Sequence, residues 1–307
     1  MLTLFTIPKP FRDHFARIQC NAIDSWTRLH PDCQIILLGD ESGTESFARR
    51  RGLDHVADVP RSQFGTPLVN GLFEVAQRHA RHGILCFINA DIILLDDFMA
   101  SVGRVARSGK PFLMAGRRWD TPVDFDLEFA EGWQSRLRQH VRKRGKRHGP
   151  GGIDYFVHPK GVLGELPPFA IGRTIYDNWL LYHAVRRGLR LIDASSQVTA
   201  IHQNHDYSHD PGGRSNVWEG PEAERNRALS GGPHHIYNLN NSPWLLTPFG
   251  VLPAWTFRHL KRRLKCAIRE RRLQIKGNTS LSHSAAKLAP DTTFVSEPLE
   301  AVGGRRG

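Results

Sequence analysis

The chain has 307 residues, 40% of them hydrophobic and 23% charged, with a formal net charge of +12 and a sequence pI near 10.0. That length suits one large domain with a tail or two small ones, and the composition is that of a soluble globular chain. No stretch approaches the roughly 20 apolar residues that span a bilayer. Met1 to Phe5 runs straight into Pro8-Lys9-Pro10, unlike a signal peptide. Cys20, Cys33, Cys86 and Cys266 form no C-x-x-C pair, so reduced structural thiols in a cytoplasmic protein are expected. The excess of positive charge asks for an acidic partner: nucleotide, anionic lipid, acidic glycan or nucleic acid.

Leu2 to Ile7 reads as a short apolar strand, and Phe15, Ile18, Ala22, Ile23 and Trp26 recur at helical spacing within 11–29. Cys33 to Leu38 is a second strand, followed by the turn Asp40-Glu41-Ser42-Gly43. A short helix over Ser46 to Arg51 stops at Gly52, and His55 to Val59 reads as a third strand. Thr66-Pro67 has the chemistry of a helix start, Thr as cap and Pro in the first turn, with Leu72, Val75 and Ala76 on the face it opens. Ile84 to Ile88 is apolar throughout, as in a strand buried on both faces of a parallel sheet. A helix from about Asp96 to Arg107 and a strand from Pro111 to Ala115 follow. The β-α-β-α alternation with short links predicts an α/β fold with a doubly wound, mostly parallel sheet flanked by helices.

From Arg117 to Pro150 the chain is polar and basic, ending in the run Arg142 to His148. It reads as a solvated loop or helix face, with a mobile flap beside a phosphate-bearing substrate as the alternative. Ile153 to Val157 is a strand, Tyr176 to Arg187 an amphipathic helix stopped by Gly188, and Leu189 to Ile192 and Val198 to Ile201 are further strands. Trp244 to Trp255 is apolar but too interrupted by proline for a core helix. Phe257, Leu260, Leu264, Ala267 and Ile268 then share a stripe flanked by Arg and Lys, as in a helix lying on a membrane surface or one docked on the domain. The 276–307 tail lacks periodicity and reads as disordered.

The chemistry gathers around Asn89-Ala90-Asp91. Two polar side chains spaced by two leave one face of a continuing strand, and a carboxylate there needs a positive partner. A strand's carboxyl end lines the ligand crevice of an open α/β sheet, which makes a divalent cation a natural partner. A turn in which Asp91 caps the next helix would use the same residues.

Asn89-Ala90-Asp91 resembles the Asp-x-Asp motif of GT-A-fold nucleotide-sugar glycosyltransferases, with Asn at the first position. Asp40 to Gly43 is similar to that family's acidic turn for nucleobase and ribose. Gly151-Gly152 resembles its glycine segment on the acceptor side. Asp177 stands where the family carries the Asp of its x-Glu-Asp motif, with Tyr176 replacing the Glu; a plain helix cap would also place Asp there. His202, ending a late strand, resembles the family's C-terminal metal-binding histidine, with His205 or His209 as substitutes among 16 histidines.

The resemblance covers roughly 1–210. It implies a GT-A-like domain over 1–242, with a nucleotide-sugar half at 1–116 and an acceptor half at 117–242, then a basic extension at 243–275. It implies Mn²⁺ or Mg²⁺ held by Asp91 and His202 with Asn89 in support, and a donor site drawing on Thr6, Asp40, Asn70, Asn89, Asp91 and Arg173. Asp177 would be the general base that takes a hydroxyl proton, with inversion at the sugar carbon. Trp179, Tyr155 and Tyr207 could offer aromatic faces to the acceptor. The expected partners are a nucleoside-diphosphate sugar and a glycan or lipid-linked acceptor. The expected location is the cytoplasm, with an anionic membrane surface as a further partner. Nucleic acid is not expected. Two other classes fit parts of the sequence: a non-catalytic basic protein binding nucleic acid or an anionic surface, and a sugar-phosphate nucleotidyltransferase. The latter would need a glycine-rich loop after the first strand, where Thr6 to Pro10 has no glycine.

Overall fold

The computed structural model describes residues 1–206 and 212–255, together with 257, 260, 261, 264, 265, 267 and 268. Tyr207, His209, Cys266 and the 276–307 tail lie outside the described residues. Two compact units are distinguished, Met1–Arg263 and Leu264–Gly307. All that follows on fold and site concerns the first.

Nine strands make the main sheet, in the order β13-β12-β10-β6-β9-β4-β1-β2-β3. Within it β1 (Leu2–Thr6) is parallel to β2 (Gln34–Leu38) on one side and to β4 (Ile84–Ile88) on the other. β3 (Asp54–Val56) continues the parallel half beyond β2. The two-sided burial inferred for these strands has a visible cause. On one face Leu2, Leu4, Ile35, Leu37, Cys86 and Ile88 pack with Ile23 and Trp26 of helix α1 (Asp13–Trp26). On the other, the rings of Phe5 and Phe87 meet Phe73 of α3 (Val69–His79), with centroids 5.1 and 5.6 Å away. Between β2 and β3 lies α2 (Thr44–Arg51), closed by Gly52 in the left-handed region.

The sheet is parallel except at two strands. β9 (Tyr155–Pro159) runs antiparallel between β4 and β6 (Phe112–Ala115), and β13 (Gly250–Pro253) runs antiparallel to β12 (Trp244–Thr247) at the edge. β12 is parallel to β10 (Arg190–Asp193), which is parallel to β6. The segment 244–253, assigned from sequence to an extension beginning at 243, is therefore a hairpin of the main sheet. Its prolines are tolerated because β13 is an edge strand.

A second, four-stranded sheet was not anticipated. It orders β5 (Ile92–Ile93), β11 (Ala200–Gln203), β7 (Arg118–Thr121) and β8 (Lys146–Arg147). Two other expectations need correction. The third helix starts at Val69, not at Thr66-Pro67, because the Thr66 hydroxyl donates to Glu222 (2.6 Å) and caps nothing. The basic run after Arg117 is a helix, α5 (Trp133–Arg144), whose Arg142, Lys143 and Arg144 face water before β8. Those three form a solvated helix face, and no residue from 142 to 148 lines the cavity described below, whereas Arg118 and Asp120 of the same stretch do. α4 (Asp97–Ala106) and α6 (Tyr176–Arg186) fall within a residue of expectation. Cys20, Cys33 and Cys86 are free thiols.

Candidate active site

The chain leaves β1 for β2 and β3 on one side and returns as β4 on the other. This is the topological switch at which open α/β sheets form their crevice, beyond the strands' carboxyl ends. A cavity of about 930 Å³ lies there. Its walls include Lys9 after β1, Glu41 after β2, Asn89 and Asp91 after β4, Arg118 and Asp120 of β7, Asp177 of α6, and His202 and His205.

The second sheet builds the cluster at the cavity's base. Its register sets His202 of β11 opposite both Ile92 of β5 and Asp120 of β7, so Asp91 and Asp120 approach the imidazole from its two sides. His202 Nε2 is 3.8 Å from Asp91 Oδ2, and its Nδ1 is 3.2 Å from Asp120 Oδ1. His205 contacts the same Asp91 oxygen through Nε2 (3.0 Å), and its Nδ1 donates to the carbonyl of Asp206 (2.7 Å). Both Nδ1 atoms thus face oxygen acceptors and both Nε2 atoms face Asp91. That orientation suits metal ligation through Nε2, with the far nitrogen turned to an outer oxygen. If Nδ1 of His205 already carries a proton, its Nε2 can meet the carboxylate only as an imidazolium or through a shared cation.

Ligand atoms of Asp91, His202 and His205 lie within 4.8 Å of one another. Asp91 Oδ1 is buried with no hydrogen-bond partner among the described residues. An orphaned carboxylate oxygen beside two oriented imidazoles fits a divalent cation. Burial would raise the Asp91 carboxyl, but the His205 hydrogen bond and the charges of His202 and Lys9 hold it well below the usual range. Burial lowers the Lys9 ammonium, against the pull of Asp91 and Asp206.

Asn89, expected to support the metal, lines the cavity but donates its amide nitrogen to Asp154 Oδ1 (2.8 Å). His205, held in sequence as a substitute, completes the cluster. Arg118 joins the half-buried Asp120 to the buried Asp154, reaching the first through Nε (2.8 Å) and the second through Nη1 (2.9 and 3.0 Å). Burial opposes its charge, and Asp154 and Asp120 more than restore it. His148 is a third partner of Asp120 (2.6 Å), after His202 and Arg118. Sequence reasoning missed Lys9, Arg118, Asp120 and Asp154. The available signal was Asp154 itself, a lone carboxylate entering an apolar strand.

Asp177 occupies the first turn of α6 and lines the same cavity, where its Oδ1 accepts from the Asn178 amide (2.8 Å). Burial raises its carboxyl to about 6; the Asn178 bond opposes this and the nearby Asp154 charge adds to it. Ile175, two residues earlier, has φ 92°, a left-handed conformation that a β-branched residue adopts only under strain. Strain of this kind concentrates where a fold holds a reactive group in a set direction. Arg173 also lines the cavity and is held by Glu222 (3.1 Å).

Other expected residues fall elsewhere. Thr6 is buried in β1, and neither it nor Asn70 of α3 reaches the cavity wall. Asp40 points to solvent, 70% exposed and paired with Arg61, while Glu41 beside it faces the cavity. The cause is Gly39, at φ 90°, which turns the chain; a Cβ there would stand 2.3 Å from Glu41 Oε2. Tyr155 is sealed in the core against Phe98, and Trp179 packs on Phe169 and His183, so neither offers a face to an acceptor.

The sequence matches no protein-family model and no curated protein. Among solved structures, the fold is similar to S. aureus TarS 1-349 in complex with UDP-GlcNAc. The identity is 11% and the TM-score 0.46, over 68% of this chain and 60% of that one. It is also similar to glucosyl-3-phosphoglycerate synthase from Mycobacterium tuberculosis in complex with Mn²⁺, UDP and glucosyl-3-phosphoglycerate. There the identity is 16% and the TM-score 0.43, over 76% of this chain and 81% of that one.

Proposed function

We propose that the chain is a cation-dependent glycosyltransferase, moving a sugar from a nucleoside diphosphate to a hydroxyl acceptor. One observation carries the reading: the Asp91, His202 and His205 cluster and the raised carboxyl of Asp177 line the same cavity. Asp91, His202 and His205 would hold the cation, which supplies positive charge to the donor's diphosphate. Two imidazoles beside one carboxylate suit Mn²⁺ better than Mg²⁺, which favours oxygen ligands.

Lys9, Arg61, Arg118 and Arg173 line the cavity among its carboxylates, and these cations suit a diphosphate. Glu41, whose Oε2 is buried without a hydrogen-bond partner among the described residues, can accept from a nucleobase N–H or a ribose hydroxyl. Asp177, raised to about 6, is ionised at neutral pH yet more basic than an ordinary carboxylate. It accepts the proton of the attacking hydroxyl as the new glycosidic bond forms. A lone base with no second carboxylate assigned as nucleophile corresponds to inversion of the sugar carbon.

A nucleotidyltransferase is disfavoured because Ile7-Pro8-Lys9-Pro10, the turn that lines the cavity after β1, has no glycine to cradle phosphates. A non-catalytic basic protein would have no use for the buried cluster. The test is a thermal-shift panel of nucleoside diphosphates with Mn²⁺, followed by cation-dependent release of nucleoside diphosphate from nucleotide sugars. Binding should raise the melting temperature by mass action, and Asp177→Asn should retain that shift while losing transfer. Absence of a shift with every nucleotide, or full transfer by Asp177→Asn, would refute the reading.

A further inference from the structure

We infer that the β12–β13 hairpin and the segment after it form a docking surface for an anionic lipid membrane. Among the described residues up to 263, nine large apolar side chains are exposed, and five of them lie between 249 and 260. Phe249 is 93% exposed, Trp255 73% and Phe257 79%, with Leu252 and Leu260 at 47% and 46%. A water-facing function would not concentrate them so.

The hairpin tip is held firmly. The Thr247 hydroxyl donates to the Gly250 carbonyl (2.9 Å) and accepts from the Phe249 amide (3.2 Å), and Gly250 takes φ 130°. Phe249 is therefore presented outward by a built turn on an edge strand. Residues 257, 260 and 261 are helical, and Phe257 and Leu260 stand three apart, the spacing that sets two apolar side chains on one helix face.

Charge identifies the occupant. From 256 to 273 the sequence holds eight Lys and Arg, at 258, 261, 262, 263, 265, 269, 271 and 272, against the single acid Glu270. Apolar and aromatic side chains flanked by cations are what an interfacial segment needs: the rings and aliphatic groups enter the acyl boundary and the cations meet acidic headgroups. A second copy of the chain would bring like charges together. A nucleic acid would satisfy the cations but leave Leu252 and Leu260 in water. None of the described residues from 249 to 263 lines the cavity, so this surface is separate from the proposed active site and does not depend on that reading.

The test uses the full chain, sedimented with vesicles of phosphatidylcholine alone or mixed with phosphatidylglycerol. Binding is expected to the acidic vesicles only, and it should weaken as salt screens the headgroups. Phe249→Ser with Trp255→Ser should abolish it, with circular dichroism and melting temperature unchanged because both side chains are exposed. Lys261→Gln and Lys265→Gln should each weaken partitioning about fivefold, and together about 25-fold. Asp177→Asn should bind vesicles as the parent does. The inference is overturned by equal binding to neutral vesicles or by no vesicle binding. It is also overturned by a dimer that the Phe249 and Trp255 changes dissociate, or by RNA binding that those changes abolish while vesicle binding persists.

Discussion

Replacing Asp177 with Asn should inactivate the protein and stabilise it, and the stabilisation should depend on pH. The carboxyl rises from an ordinary 3.8 to about 6, chiefly because it is enclosed by protein and secondarily because Asp154 is near. A raised folded-state value means that the fold prefers the protonated acid. Its contribution to stability is complete below about pH 4 and is lost as pH climbs through about 6. Above that, ionised Asp177 costs the fold up to about 3 kcal/mol, from 1.36 kcal/mol per tenfold change in proton affinity. Asn retains the acceptor for the Asn178 amide and carries no charge. In metal-free buffer the variant should therefore melt with the parent near pH 4 and about 5 °C above it at pH 8. The assay is a calorimetric or fluorescence melt of both proteins from pH 4 to 8. A melting difference that is constant across that range, or that favours the parent at pH 8, would refute the claim that Asp177 is held against its preferred protonation state.

Three further outcomes follow from the same geometry. Asp120→Asn removes the carboxylate that faces His202 Nδ1 and should weaken Mn²⁺ binding about 10- to 100-fold; spin-resonance titration of free Mn²⁺ measures it, and unchanged affinity would remove the orienting role. Arg118→Met strips the shared counter-charge from Asp120 and Asp154 and should cost about 3–5 kcal/mol in urea unfolding. A loss under 1 kcal/mol, on the order of an exposed ion pair, would mean that solvent already screens these acids. Gly39→Ala forces a side chain onto a φ of 90° and into Glu41 Oε2; it should lower stability by about 1–3 kcal/mol and weaken nucleotide affinity in the thermal-shift panel. Nucleotide affinity equal to the parent's would release Glu41 from the donor site.

The amino-acid sequence by itself determined the strands of the parallel core, because a strand buried on both faces must be largely apolar, as Leu2–Thr6, Gln34–Leu38 and Ile84–Ile88 are; of their buried polar residues, Thr3 and Gln34 satisfy each other by a hydrogen bond (2.7 Å). It also singled out Asp91 and His202, each a polar residue that apolar neighbours carry toward the carboxyl end of a strand, and the structure brings the two within 3.8 Å of each other. Only the tertiary structure decided their company. Asp120 and Arg118 sit in a basic, irregular stretch whose short strand declares itself by pairing, with β8 and, from Asp120 to His202, with β11. The choice of Glu41 over Asp40 depends on a single backbone angle at Gly39, and the departure of Tyr155 and Trp179 from the site depends on which face of the sheet and helix met the core. Local periodicity reports how a segment folds; which side chains converge on one cavity is fixed by register and packing between segments far apart in the chain.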